Sequence, residues 1–390
     1  MRSVNFIGQN EIQLLHCGAD YFPALIAAFD SARIEIYLET YIFAADNTAE
    51  LIKSAMVRAV ERGVAVYLVT DWVGTGRAQS AILERECRAA GIVYRSFNPW
   101  FKRGIARMHR KLCVVDRQVA FLGGLNIVDD LHDDDDPRIT LPAPRWDFGV
   151  RIMGPLVARI HWEMAVHWAR MGHLSLRTRW TTFKEQRSSS RRVDDTSKPM
   201  VAGLVVRDNL RNRRTIQSAY LKALGGARHS ALLANPYFAP GRKMRRGLSQ
   251  AARRGVDVTL LLGVGQYRFQ DVIARSFYPK LLEAGVRIVE YRQTQLHGKV
   301  AVVDDRWSTI GSSNYDGFSL FVNQEANVVV VDPAFVQTLR EHIQRGVADG
   351  VEVTLADFAG IPQYKKFFYQ VAYWIYKNAL RLITWGKSAE

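Results

Sequence analysis

His109 and Lys111 stand two residues apart at the head of an apolar run, Leu112 to Val115. The arrangement returns 188 residues later as His297, Lys299 and the run Val300 to Val303. Residues 108–126 and 296–314 align without a gap, so that Asp116 answers Asp304, Gly123 answers Gly311 and Asn126 answers Asn314. Residues two apart on an extended strand point the same way, so each His shares a face with its Lys. Imidazole titrates near neutrality, which lets one ring attack an electrophile while another supplies a proton. Two such pairs, brought face to face by a pseudo-twofold, would flank one phosphorus of a phosphodiester. The two lysines, with Asn126 and Asn314, can hold its non-bridging oxygens. An ammonium two residues from each His repels a cation, and no H-x-H or carboxylate pair stands beside either His. Catalysis without a metal or other cofactor is therefore expected.

Each apolar run is followed by a short turn, a second apolar run and a Gly-rich corner, which reads as a β-hairpin in each half. Before the first hairpin (110–122) the pattern gives a strand at 10–16, a helix over 21–31 capped by Asp20, and a strand at 33–43. A helix at 48–62, a strand at 64–70, a helix at 78–90 and a strand at 92–97 follow. The second half repeats this order: residues 231–238 answer 36–43, 254–263 answer 62–71 and 284–291 answer 90–97. Alternating strands and helices written twice predict an α/β fold: two similar units related by pseudo-twofold symmetry, with the site at their interface. The expected divisions are 1–182, a linker at 183–200, a second unit at 201–355 and a C-terminal amphipathic helix within 356–390.

Composition bounds the partners. The 390 residues are 48% apolar, enough for a sizeable core, and carry a net charge of +15. That charge fits a polyanion, either nucleic acid or an anionic membrane surface. Cys17, Cys87 and Cys113 show no paired or zinc-binding spacing and read as reduced thiols. The opening residues lack the apolar stretch of a signal peptide, and no run of 18 apolar residues occurs. Residues 183–200 are polar and Ser-rich. Ten Lys/Arg against three Asp between 187 and 230 read either as a solvated face or as an anion-facing rim built from Arg207, Arg211, Arg213 and Arg214. His132 with Asp133, Asp134, Asp135 and Asp136 reads as a solvated loop rather than a metal site. From 361 to 385 aromatics crowd the chain, while Gln370, Lys377, Arg381 and Thr384 form a polar stripe at helical spacing. Lys365, Lys366 and Lys387 flank it. That segment is expected to lie in a membrane interface, or else to pack on the protein's own core or on a partner subunit.

The motif H-x-K-x4-D, complete in both copies and each time followed by G-x2-N, resembles the signature of the phospholipase D superfamily over most of the chain. The resemblance implies a catalytic set of His109, Lys111, Asp116, His297, Lys299 and Asp304, with phosphate-binding Asn126 and Asn314. It also implies that His109 is the nucleophile, forming a covalent phosphohistidine, and His297 the acid. Each imidazole needs an orienting carboxylate. Glu325, in the N-x-E pattern at Asn323-Gln324-Glu325, fits that role in the second copy and Asp147 in the first. Asp116 and Asp304 lie about five residues, ~17 Å of extended strand, from their histidines, and read as ion-paired turn residues.

More narrowly, the wording around the motifs is similar to bacterial cardiolipin synthases of the shorter type, without an amino-terminal membrane-spanning pair. What this implies is phosphatidyl transfer from one phospholipid to phosphatidylglycerol. The setting would be an anionic phospholipid membrane, peripherally on the cytoplasmic face of the bacterial inner membrane, with no nucleic acid as partner. The alternatives are a phospholipase D-type hydrolase or nuclease, which the charge serves equally, and a catalytically idle membrane scaffold. No known nucleic-acid-binding module accompanies the charge.

Overall fold

A computed structural model of the chain describes residues 4–102, 104–133, 138–172, 200–208, 212–316 and 322–383. The first half supplies strands β1 (Ile7–His16), β2 (Glu35–Thr40), β3 (Ala65–Asp71), β4 (Val93–Phe97), β5 (Leu112–Val115), β6 (Val119–Gly123) and β7 (Phe148–Met153). The second supplies β8 (Met200–Arg207), β9 (Ser230–Asn235), β10 (Asp257–Gly263), β11 (Arg287–Tyr291), β12 (Val300–Val303), β13 (Trp307–Gly311), β14 (Glu325–Val331) and β15 (Val351–Val353). All join in one 15-stranded sheet. Outward from the antiparallel β1–β8 seam the order is β1-β7-β6-β5-β2-β3-β4 on one side. On the other it is β8-β14-β13-β12-β9-β10-β11, with β15 at the far edge. The duplication read from the motifs is thus a duplication of topology. The halves meet edge to edge within a single sheet.

Parallel neighbours β2, β3 and β4 need crossovers, and helices Asn47–Glu61 and Arg77–Ala89 provide them. Asp46 starts the first of these by accepting the Ala49 N–H (2.8 Å), a standard N-cap. Asp20 is not a cap. The first helix runs Cys17–Ser31, and Asp20 sits in its first turn, accepting the His16 N–H (3.0 Å). One face of the sheet carries a core drawn from both halves: Phe148, Ile160 and Met164 pack in the same cluster as Ile310, Leu339 and Ile343. Helices Leu156–Met171 and Pro333–Ala348 cover it. The opposite face carries a separate core for each half. All three cysteines are buried and unpaired.

The motif aspartates are structural, but they pair with backbone rather than with cations. Asp116 and Arg117 both have positive φ (51° and 58°), and Gln118 N–H bonds Val115 O (3.0 Å). That tight turn, with two residues in the left-handed region, closes the three-residue connection between β5 and β6. The turn aims the Asp116 carboxylate at the N–H groups of Arg33, Ile34 and Glu35 (2.8–2.9 Å), where β2 begins. Asp304 (φ 48°) does the same with Arg228, His229 and Ser230 ahead of β9. Neither lines the cavity described below. Each aspartate pins a hairpin to its neighbouring strand.

Arg207 is also reassigned. It is buried, donates to the Asn323 carbonyl, and is no part of an anion-facing rim. Arg213 and Arg214 are exposed. Arg211, the linker up to residue 199 and Asp134–Asp136 lie outside the described residues. Asp133 accepts from the Gln295 amide (3.2 Å), and His132 pairs with Asp129 (2.9 Å).

The C-terminal helix, Gln363–Ile383, splits its aromatics between two faces. Ala372, Tyr369, Tyr373 and Tyr376 pack on the second-half core, while Tyr364, Phe367, Phe368, Trp374 and Ile375 stay 48–69% exposed. The side chains of Lys365, Lys366, Lys377 and Arg381, and residues Thr384 and Lys387, lie outside the described set. Among the described residues no helix is long and apolar enough to cross a membrane.

Replacing Asp116 by Asn removes the charge from three hydrogen bonds to backbone N–H groups. Urea denaturation should show a loss of about 1–3 kcal/mol, while turnover per folded molecule stays near that of the parent. A large fall in turnover with unchanged stability would return Asp116 to the chemistry.

Candidate active site

The two histidine strands enter the site by pairing with the opposite half. His109 N–H donates to Gln324 O (2.9 Å) and Gln324 N–H to Arg107 O (2.7 Å). On the other side, His297 N–H donates to Trp146 O (2.9 Å) and Trp146 N–H to Gln295 O (3.0 Å). Gln324 precedes Glu325, and Trp146 precedes Asp147. These bridges therefore bring each carboxylate to the histidine of the other half. His109 Nδ1 lies 3.0 Å from Glu325 Oε2, and His297 Nδ1 lies 2.5 Å from Asp147 Oδ2. The sequence pattern places each carboxylate with the histidine of its own copy; the structure crosses them.

His109, His297, Asn126 and Asn314 line one cavity of about 510 Å³, together with Tyr41 and Tyr237. With Nδ1 of each ring bonded to a carboxylate, Nε2 is the nitrogen left for a ligand. Asn126 Oδ1 accepts the Ile42 N–H (3.4 Å), which commits the oxygen and leaves the amide N–H groups for an anion. Tyr41 packs edge-on to the His109 ring at 4.8 Å and holds its tilt.

Lys111 and Lys299 are 2% and 0% exposed, and neither lines the cavity. Lys111 Nζ donates to His109 O (2.9 Å), and Lys299 Nζ to His297 O. They act on the site as buried charges. Burial lowers the pKa of both imidazoles, and both lysines lower it further; His297 falls to about 3. Burial alone would raise Asp147 and Glu325. Lys299 and His297 hold Asp147 down at about 2, while His109, Lys111 and Ser312 bring Glu325 below the ordinary carboxylate range. Two ammoniums and two carboxylates then balance while both rings are neutral. A bound phosphodiester anion adds one negative charge, which a proton on one imidazole offsets.

The Gly-rich corner explains itself at this point. A Cβ on Gly124 would collide with the Asp147 carboxylate. Its counterpart Ser312 instead donates to Glu325 Oε2 (2.5 Å). Between His and Lys the chain faces away from the cavity. There Arg110 ion-pairs with buried Glu39 (2.7 Å), which also binds His167 (2.8 Å). At the matching Gly298 the Trp146 ring fills the space, 2.8 Å from where a Cβ would stand. Ser312, Tyr41 and the Glu39–Arg110–His167 cluster escaped the sequence reading: His167 lies outside the repeated segments, and the others stand in them where the two copies differ, as Ser312 does from Gly124 and Arg110 from Gly298. Among the described residues no group of three or more His, Cys, Asp or Glu is placed to hold a metal ion.

Two α/β halves in one sheet, each lending a His-x-Lys strand to a shared cavity, define the duplicated phospholipase D-like class. The fold matches phosphatidylserine synthase from Haemophilus influenzae Rd KW20 with a TM-score of 0.70 at 12% identity. That match covers 98% of this chain and 97% of that one, a likeness of fold alone. The family model described as "Cardiolipin synthase, PLD-like domain" matches residues 25–134 and 220–346. Cardiolipin synthase B of Salmonella typhi is 36% identical over 342 residues, 86% of this chain and 80% of that protein. Cardiolipin synthase B of Escherichia coli (strain K12) is 36% identical over 346 residues, 87% and 81% of the two chains. The chain belongs to the PLD-like cardiolipin synthase family.

The depressed His297 pKa sets a direction for stability. The folded ring stays neutral down to about 3, whereas the unfolded ring takes up a proton below 6.5. Stability should therefore fall as pH drops from 6.5 towards 5, by up to about 1.4 kcal/mol per pH unit from this one group. In that window denaturation midpoints of His297→Gln should depend less steeply on pH than those of the parent. Parallel curves would contradict the assignment.

Proposed function

We propose that this protein is a cardiolipin synthase that moves a phosphatidyl group from one phospholipid to the free glycerol hydroxyl of phosphatidylglycerol. The chain is a phospholipid-transferring enzyme of its family. The observation that carries the finer reading is the shared cavity, lined by two imidazoles tied at Nδ1 and by two Asn side chains. His109 Nε2 attacks phosphorus. The bond from phosphorus to the head-group oxygen breaks, and the departing alkoxide takes the proton from His297 Nε2. The phosphohistidine formed is then attacked by the acceptor hydroxyl, whose proton goes to His297 as the P–N bond breaks. Asp147, held ionised, stabilises the imidazolium at His297, and Glu325 orients His109. Asn126 and Asn314 hold the non-bridging oxygens, and the buried lysines offset the charge that develops there. Assignment of His109 rather than His297 as nucleophile rests on family resemblance.

The surface supports lipid over nucleic acid. Phe269 and Tyr376 stand at the cavity wall, next to the exposed aromatic face of the C-terminal helix. In the first half, Val73 lines the cavity and neighbours Trp72, which packs on Trp100 and Phe101. Trp100, Phe101 and Ile105 are exposed, and Arg77 and Arg107 lie over the Trp100 and Phe101 rings. Exposed aromatics beside cations suit the headgroup region of a bilayer. The protein thus sits peripherally on an anionic membrane, with the cavity facing lipid and water held back from the phosphohistidine.

Incubated with phosphatidylglycerol vesicles, the protein should release glycerol and form cardiolipin. His297→Ala should slow this by about 10²–10⁴-fold. His109→Ala should eliminate the acid-labile phosphatidyl adduct seen by mass spectrometry after rapid quench. Cleavage of DNA with no lipid product would replace this reading with the nuclease one.

Trp100→Ser with Phe101→Ser should weaken co-sedimentation with anionic vesicles about tenfold or more, the worth of burying one large aromatic. Undiminished binding would remove this loop from the membrane contact.

A further inference from the structure

The catalytic cavity has a smaller neighbour of about 190 Å³, beyond the carboxyl ends of β9, β10 and β11. Ligands of open α/β sheets bind in that position. Tyr237, Tyr267 and Gln270 form walls of both cavities, and Leu296, beside His297, lines the smaller one. The first half closes the corresponding place. There the Asp71 carboxylate accepts N–H groups from Val73, Gly74 and Met108 (2.8–3.1 Å). The two halves, alike in topology, differ here.

The lining chemistry narrows the occupant. Thr294 is committed to Ala143 O (2.6 Å), and the Gln295 amide to Arg145 and Asp133. Arg292 is paired with Glu290 (2.7 Å), and the Asp271 carboxyl accepts the Gly265 N–H (2.9 Å). A carboxyl beside an already paired guanidinium does not favour a second phosphate. Gln266 differs: its Oε1 accepts the Tyr237 hydroxyl (3.3 Å), while its Nε2 is buried with no hydrogen-bond partner. A buried amide donor without an acceptor is costly, and a ligand oxygen can fill the gap. The volume falls below the about 300–1,000 Å³ of a drug-sized pocket. It suits a short polyol and excludes an acyl chain.

We propose that this side cavity is the acceptor subsite, which holds the terminal glycerol of the acceptor lipid through Gln266 and Gln270. The inference rests on the phosphatidyl-transfer reading above. The held glycerol presents its primary hydroxyl to the phosphohistidine. The new O–P bond forms as the P–Nε2 bond to His109 breaks, and the hydroxyl proton passes to His297 Nε2. Fixing the polyol raises its effective concentration at phosphorus above that of unbound water. The subsite therefore decides between transfer and hydrolysis.

The test is the ratio of cardiolipin to phosphatidic acid formed from phosphatidylglycerol vesicles, a quantity independent of total turnover. Isotopically labelled glycerol, whose transfer is read as labelled phosphatidylglycerol, and 1-propanol, read as phosphatidylpropanol, serve as competing acceptors in parallel. Gln266→Leu and Gln270→Leu should each lower the ratio about tenfold, as expected for one or two lost neutral hydrogen bonds. Both variants should also lose the parent's preference for glycerol over 1-propanol. A parent that transfers while both variants keep its ratio and preference overturns the subsite alone. A parent that turns lipid over only to phosphatidic acid, with either alcohol present, overturns the transfer reading and the subsite together.

Discussion

Each imidazole is bonded to a carboxylate supplied by the other half of the chain, and the rest of the site depends on that crossing. A buried carboxylate without a counter-charge would be strongly destabilising. Here Asp147 and Glu325 are buried beside Lys299, Lys111 and the two rings, so the fold can keep four formal charges out of water. The backbone bridges at Gln324 and Trp146 set the register that makes the crossing work. A shift of one residue in either bridge would turn the carboxylate away from its histidine.

The frame is nearly symmetric, yet the chemistry placed on it is not. Where one half leaves a gap at Gly124 for the Asp147 carboxylate, the other fills the gap with the Ser312 hydroxyl. Where one half sends Arg110 to a buried Glu39, the other has Gly298 under a tryptophan ring. Such local departures let two like histidines sit in unlike surroundings. A reaction in which one ring attacks and the other carries a proton needs that difference.

Much of this was legible in the residues. The two hairpins, the order of strands and helices and the equivalence of the halves all come from local periodicity and from a repeat in register. The strands were placed to within a few residues, because β-branched and aromatic runs bounded by turns leave few other options. What failed depended on contacts distant in sequence. The crossing of Asp147 and Glu325 spans more than 140 residues in each case, and no periodicity records it. Asp116 and Asp304 looked like partners for cations because the N–H groups they bind belong to strands some 80 residues away. Arg207 looked like part of a basic surface because charge along the chain says nothing of burial; β8 lies at the seam, where an outward-reading arginine ends up inside. The C-terminal helix was foreseen, but its aromatics serve two faces at once, and a one-dimensional stripe shows only one.

The β1–β8 seam also limits how the molecule can move. Hydrogen bonds run across it, and helices rooted in both halves share one core on one side of the sheet. Such a body does not open and shut like a pair of jaws. The spacing of the two rings is a fixed gauge, and the groups exchanged in the proposed transfer have to fit between them without any widening of the frame. If the proposed transfer runs on a bilayer, both lipids can keep their tails in the leaflet while only their heads reach the site.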